Sequence, residues 1–280
     1  MSTVLQALPG VERCPGRTRP AAPASIEICS VVSNDGVAAA TQRLTLHSPA
    51  IAGAGAPGQF VHVDCGMVLR RPFSISGIHR DRGLVDITYR LVGPGTGWLS
   101  GLRSGDRLSV IGPLGNGFSH PSRPGPALLV AGGIGVAPLL GWAKDLRSTG
   151  RRVFALVGAR SRDHLVGLEA LDSLGVSVTA CTDDGSAGFR GTVCDLLHPA
   201  LKRRRPAEVY CCGPSPVLRA VQQAAEELRI PCELSVEDRL ACGVGACVGC
   251  AVRRRVPLGE SLYFRACSDG PVFQAGDVVI

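Results

Sequence analysis

The chain has 280 residues and a formal net charge of +7; 45% of its residues are hydrophobic and 4% aromatic. That length exceeds one ordinary core and suits two or three domains packed mainly by aliphatic and small side chains. With no run of about eighteen apolar residues and no charged-then-apolar leader, the expectation is a cytoplasmic protein with no membrane span, and the basic charge lacks the aromatic interleaving of a nucleic-acid groove.

Residues 1–24 carry four prolines and no sustained periodicity, so a mobile leader is expected there. Residues 25–122 follow as short strand-like runs broken by Gly, Pro and Asp: 26–32, 43–47, 59–64, 72–78, 84–91 and 107–111. Such a series predicts a small antiparallel β-barrel or sandwich. Two stretches in it look chemical. Arg70-Arg71-Pro72-Phe73-Ser74-Ile75-Ser76 sets cations, a ring and hydroxyls along one strand. Gly93-Pro94-Gly95-Thr96-Gly97 leads into an apolar helix predicted over 98–102, and glycine N–H groups at a helix start can cradle phosphate. Ordinary strand and ordinary turn remain the plain readings of each alone.

Residues 123–237 alternate strand and helix. Strands are predicted at 127–131, 152–157, 176–181, 208–212 and 232–236, with helices after Pro138, over 164–174, within 191–201 and over 216–228. Five strands with helices between them predict a doubly wound parallel sheet, an α/β domain for a nucleotide. Gly132-Gly133-Ile134-Gly135 follows the first strand, where a pyrophosphate would meet a helix start. A tight turn that needs glycine for space is the competing reading.

Residues 238–280 hold Cys242, Cys247, Cys250 and Cys267, spaced C-x4-C-x2-C-x16-C. This is the plant-type arrangement for a [2Fe–2S] cluster. Gly243, Gly245 and Gly249 are expected to supply the positive φ values that a loop curled around an anionic cluster needs. A zinc site in a non-enzymatic nucleotide-binding module is the alternative, for which two C-x2-C pairs would be usual. Of the other eight cysteines, Cys14, Cys29, Cys65, Cys181, Cys194, Cys211 and Cys232 read as small apolar side chains, with Cys212 a possible exception. Arg253–Arg255 and Lys202–Arg205 read as solvated faces.

Barrel with Arg-Pro-Phe-Ser, nucleotide domain with Ala-Gly-Gly-Ile-Gly-Val-Ala-Pro, then Cys212-Gly213-Pro214: this order resembles the ferredoxin–NADP reductase superfamily. The cluster motif, together with Gly112-Pro113-Leu114-Gly115-Asn116-Gly117-Phe118, is similar to the electron-transfer subunits of NAD-dependent (class 1B) dihydroorotate dehydrogenases. The resemblance spans roughly residues 25–280. It implies that Arg71, Pro72, Phe73 and Ser74 hold FAD, with Arg71 on the pyrophosphate. Thr88, Tyr89 and Arg90 on a second strand, and Gly95 and Thr96 in a phosphate loop, would complete that site. Gly132, Gly133 and Gly135 would line the NAD(H) site with Cys212 close to the nicotinamide, and the four loop cysteines would hold the cluster.

The resemblance further implies an FMN-containing catalytic subunit as partner, in a heterotetramer of two chains of each kind. Electrons would pass from dihydroorotate through the cluster and FAD to NAD+, in pyrimidine biosynthesis. No fold of about 250 residues for an FMN barrel is legible in this chain, so it should not oxidise dihydroorotate alone. A related reductase subunit, of the sulfhydrogenase or ferredoxin–NADP transhydrogenase type, is the nearest alternative. Two departures from the superfamily stand out. The chain continues past the nucleotide domain where an aromatic residue would cover the flavin. Arg160 and Arg162 follow the second strand of that domain, where an acidic ribose ligand would mark NAD.

Overall fold

The computed structural model describes residues 24–256 and 262–280, so the expected leader, residue 24 apart, and Cys14 lie outside the described residues. Six strands close the first half into a barrel: β1 (Ser25–Ala38), β2 (Thr41–His47), β3 (Phe60–Val63), β4 (Arg71–His79), β5 (Leu84–Arg90) and β6 (Arg107–Leu114). Their order is β1-β2-β5-β4-β3-β6, antiparallel throughout. Alternation sets the inner face, since Val85, Ile87 and Tyr89 on β5 point to the same core as Leu44 and Leu46 on β2. Helix α1 (Pro49–Ala54) adds Ile51 and Ala52 to that core. Helix α2 (Pro94–Ser100) starts inside the glycine run rather than at Trp98; Pro94 suits a first turn, and Leu99 anchors the helix.

The second half builds β7 (Ala127–Gly132), α3 (Val136–Ser148), β8 (Val153–Ala159), α4 (Leu168–Ser173), β9 (Ser177–Thr182), β10 (Phe189–Arg190), α5 (Val193–Arg204), β11 (Glu208–Cys212), α6 (Ser215–Glu227) and β12 (Cys232–Ser235). Three short strands follow: β13 (Ala251–Arg253), β14 (Tyr263–Arg265) and β15 (Val272–Gln274). The sheet runs β10-β9-β8-β7-β11-β12-β15. Its five central strands are parallel, as expected, but β15 returns from the cysteine-rich segment and pairs antiparallel with β12. The cluster segment is thus woven into the nucleotide sheet, which has seven strands instead of five. Helix α4 is also shorter than the predicted 164–174.

On β7, Ala127, Leu129 and Ala131 face the core under α3 and α4, while Leu128 and Val130 face the core under α5 and α6. Burial on both faces explains the unbroken apolar run. The core under α5 and α6 also takes in Phe60 and Leu114 of the barrel and Cys250, Cys267, Phe264 and Phe273 of the cluster segment. Barrel, sheet and cluster segment thus meet in this core, while the barrel interior around Val61, Ile75 and Ile87 is a core of its own. The stretch 112–118 is their joint: Asn116 donates to the carbonyls of Ser268 and Asp269 at 3.2 and 2.9 Å. Phe118 stacks on Trp142 of α3 at 5.7 Å.

The arginine runs are mostly exposed, as expected, with Arg204 and Arg254 half-buried. Arg254 lies 4.4 Å over the Phe264 ring and Arg204 lies 4.1 Å over Phe154. Arg255 pairs with Glu226 of α6. Arg204 and Arg254 thus cover apolar rings with their long side chains.

Candidate functional site

Three neighbouring constellations form around the carboxyl ends of the parallel strands and the adjoining barrel wall. The first is on β4, β5 and α2. Arg71 is exposed at the start of β4; its guanidinium bonds to the Leu69 carbonyl at 3.2 Å and meets no carboxylate among the described residues. The side chain runs along Gly95, where an added Cβ would touch its Nε at 3.5 Å. A planar cation beside an open loop suits a diphosphate, which is the fit FAD requires. Pro72, Phe73 and Ser74 are half-buried, and Phe73 meets the buried Tyr89 edge-on at 5.6 Å. The Tyr89 hydroxyl is 2.8 Å from Gln42 Oε1.

Two of the expected contacts have local duties. The Thr96 hydroxyl accepts from the Val92 and Gly93 N–H groups and donates to the Gly93 carbonyl. It therefore shapes the phosphate loop from within. Thr88 pairs its hydroxyl with Ser76 at 2.9 Å across β4 and β5. Arg90 is exposed at the end of β5.

The second constellation lies where the strand order reverses at β7, the usual place for a ligand crevice in an open α/β sheet. Gly133 takes a positive φ of 56° with open space where a side chain would be. Gly132 and Gly135 have a different reason to be glycine. A Cβ on Gly132 would strike Pro214 Cδ at 2.8 Å, and one on Gly135 would run into the Cys212 carbonyl. The turn is thus locked against Cys212-Gly213-Pro214, and Gly133 is the glycine that faces open space.

Cys212 is 1% exposed. Burial drives its thiol far above the ordinary range, nearby Glu237 adds to this, and a Ser235 hydrogen bond opposes it. It stands as a neutral wall, not as a thiolate nucleophile. Glu237 was missed by the sequence reading. Its side chain reaches solvent yet is ringed by protein, so loss of hydration raises its carboxyl above the ordinary range against the pull of Arg90. Glu237 thus lies within electrostatic reach of both Arg90 of the barrel and Cys212 of the sheet. A single carboxylate after a strand carries no sequence spacing that would have marked it. Arg160 and Arg162 are exposed beyond β8, with Arg162 held to Ser186 through its N–H and Nε.

The third constellation is the cysteine loop. Cys250 and Cys267 are buried with their Sγ atoms 3.3 Å apart, and the Gly245 N–H donates to Cys267 Sγ at 3.1 Å. The Cys247 N–H reaches Cys242 Sγ at 3.4 Å. Burial works to raise the Cys242 thiol, but N–H groups of Cys247, Val244 and Ala246 outweigh it and bring it down to about 6. Burial and the neighbouring Cys250 thiol push Cys267 up.

The Cys250 and Cys267 thiols thus touch each other, while the Cys242 sulfur is met by the backbone of its own loop. Four thiols with backbone N–H groups turned on two of the sulfurs suit an anionic iron–sulfur cluster. Gly243 and Gly245 have positive φ, 71° and 82°, as expected. Gly249 does not; Val248 takes the left-handed conformation instead, at 56°. Val244 and Val248 are exposed on the loop surface, at 45% and 61%.

Comparison with known proteins agrees with this arrangement. The family model for the iron–sulfur cluster binding domain of dihydroorotate dehydrogenase B matches residues 237–279. The dihydroorotate dehydrogenase B (NAD(+)) electron transfer subunit of Desulforamulus reducens is 39% identical over 247 residues, 87% of this chain and 94% of its own. The subunit of that name from Geobacillus thermodenitrificans is 40% identical over 261 residues, 91% of this chain and 98% of its own. Among solved structures, an NADH-dependent reduced ferredoxin–NADP oxidoreductase, studied for flavin-based electron bifurcation, superposes with a TM-score of 0.79. It is 29% identical and the match covers 90% of each chain.

Proposed function

The chain belongs to the electron transfer subunits of dihydroorotate dehydrogenase B, and from that membership we propose how its residues divide the work of passing electrons to NAD+. It is an oxidoreductase subunit of pyrimidine biosynthesis with FAD and a [2Fe–2S] cluster as cofactors and NAD(H) as substrate. When bound, FAD exchanges two electrons with the nicotinamide and single electrons with the cluster. The observation that carries this reading is the seating of the cysteine loop on an apolar core that holds Cys250 and Cys267 together with Phe60 and Leu114 of the barrel.

In this reading Arg71 holds the FAD diphosphate beside Gly95, in a loop whose shape Thr96 maintains. Pro72, Phe73 and Ser74 line the flavin side of β4; Thr88, Tyr89 and Arg90 hold the adjoining strand. Gly133 gives the nucleotide phosphates access to backbone, while Gly132 and Gly135 keep Cys212 against the turn. Cys212, buried and neutral, excludes water from the nicotinamide face. Glu237 stands where a proton can be held at the edge of the same crevice. Cys242, Cys247, Cys250 and Cys267 would hold the cluster.

The electron partner is an FMN-containing catalytic subunit that oxidises dihydroorotate, in a heterotetramer of two chains of each kind in the cytoplasm. No helix among the described residues is long and apolar enough to cross a membrane. Val244 and Val248 form the contact over the cluster, as buried apolar centres with a polar rim do at protein interfaces. The likeness to a ferredoxin–NADP oxidoreductase supports a second reading, in which the partner is another electron carrier.

Reconstitution decides between them. Dihydroorotate-dependent NADH formation is expected when this chain is mixed with an FMN-containing dihydroorotate dehydrogenase subunit, and not with either component alone. Dihydroorotate oxidation by the isolated chain would overturn the subunit assignment.

A further inference from the structure

His62 sits at the centre of β3, 1% exposed, on the wall between the barrel and the cysteine loop. Its cross-strand partner on β4 is Pro72, between Arg71 and Phe73, so its backbone belongs to the strand pair that lines the proposed flavin site. Its ring leaves the barrel on the other side and lies against Gly243. A Cβ on Gly243 would be 2.9 Å from His62 Cε1 and from Nε2. Gly243 adjoins Cys242, whose Sγ receives the Cys247 N–H. The ring is fixed by Phe60, edge-on at 5.7 Å, and Nε2 has no hydrogen-bond partner among the described residues.

With Nε2 unpartnered, no hydrogen bond at that atom places the ring, and packing alone seats that edge against the loop. Burial first, and the Arg70 cation second, drive the imidazole down to about 4, with the Leu240 backbone opposing, so the ring packs as a neutral flat body. A second positive-φ glycine shows the same construction. Gly245 is backed by Ser268, whose buried Oγ also lacks a partner and would lie 3.2 Å from a Cβ on Gly245. Each left-handed glycine turn of the loop thus rests on a buried side chain, and the one under Gly243 comes from the barrel.

We propose that His62 is a positioning residue: its ring is the wedge that fixes the Gly243 turn, and with it Cys242 and the N–H groups around its sulfur, relative to the flavin-bearing strand. Hydrogen bonds to the sulfurs and the surroundings of the ligands tune an iron–sulfur cluster's potential. The placement of this ring therefore enters the cluster's reduction potential and its magnetic signature. The proposal rests on the functional reading above; if the unaltered full-length protein carries no iron or no FAD, that reading fails before any variant is compared.

The test uses full-length holoprotein with His62→Ala, which removes the ring, and His62→Phe, which keeps a flat ring without nitrogens. Iron and FAD content, the cluster's midpoint potential, its EPR g-values and the rate of flavin reduction by NADH are read together. The expected result is unchanged FAD content and flavin reduction in both variants. His62→Ala has a displaced potential and altered g-values, or loses iron, whereas His62→Phe keeps its iron and matches the unaltered protein in potential and g-values. The proposal is overturned if His62→Ala is indistinguishable from the unaltered protein. It is equally overturned if His62→Phe loses iron or is displaced as far as His62→Ala, since the nitrogen and not the ring's shape would then matter.

Discussion

Gly135 lies against the main-chain carbonyl of Cys212 with no room for a methyl carbon between them. Its φ of −58° is ordinary right-handed backbone, so glycine is required here for space alone. This contact joins the β7 turn to the end of β11 and so shapes the nucleotide crevice. Gly135→Ala should cost about 1–3 kcal/mol of stability through overpacking and raise the KM for NADH. Chemical denaturation and steady-state kinetics check this; a variant unchanged in both would mean that the turn yields freely.

On the barrel side, Arg71 supplies the charge-assisted contact to phosphate. Arg71→Ala should weaken FAD binding by roughly 1.5–3 kcal/mol, a loss of about ten- to a hundredfold in affinity. Fluorescence titration of apoprotein with FAD measures it. Undiminished affinity in a folded variant would make Arg71 a bystander.

The sheet carries its own pH dependence. Glu208, 6% exposed, is pushed up to about 7, first by burial and then by the neighbouring Glu233, with Tyr210 and two arginines opposing. The folded state thus holds a proton that the unfolded chain releases near 4.5. Its contribution to stability is fully present below that lower value and is lost as pH rises through about 7. The denaturant midpoint should therefore fall between about pH 5 and pH 8, and Glu208→Gln should flatten that part of the fall. An identical slope in the variant would contradict the assignment.

The loop surface separates two activities. Val244→Arg should leave NADH-dependent reduction of an artificial dye intact, because that reaction needs the nucleotide and flavin sites alone. Dihydroorotate-dependent NAD+ reduction in the reconstituted complex should be abolished. Survival of both activities would place the docking face elsewhere.

Much of this architecture was legible because it is periodic or spaced. The alternation in β2 and β5, the apolar run 127–131 and the four cysteines each repeat a local rule. What escaped depends on long-range placement. Strand β15 is three residues long and carries no pattern that announces antiparallel pairing with β12. Val248 takes the conformation expected of Gly249 because the loop's curvature, not the glycine count, decides which residue turns. His62 and Glu237 are lone side chains whose roles depend on what the fold brings beside them. Gly135 was legible as a glycine needed near a nucleotide, but not as one held there by the Cys212 carbonyl.

If NADH electrons reach the cysteine loop through FAD within this one chain, an anaerobic NADH titration followed by optical and EPR spectroscopy will show it. Uptake of about three electrons per chain is expected, two by the flavin and one by the cluster. The EPR signal of a reduced [2Fe–2S] centre should appear as NADH is added and disappear in Cys250→Ser protein. Uptake of about two electrons with no cluster signal, in protein shown to contain both cofactors, would contradict it.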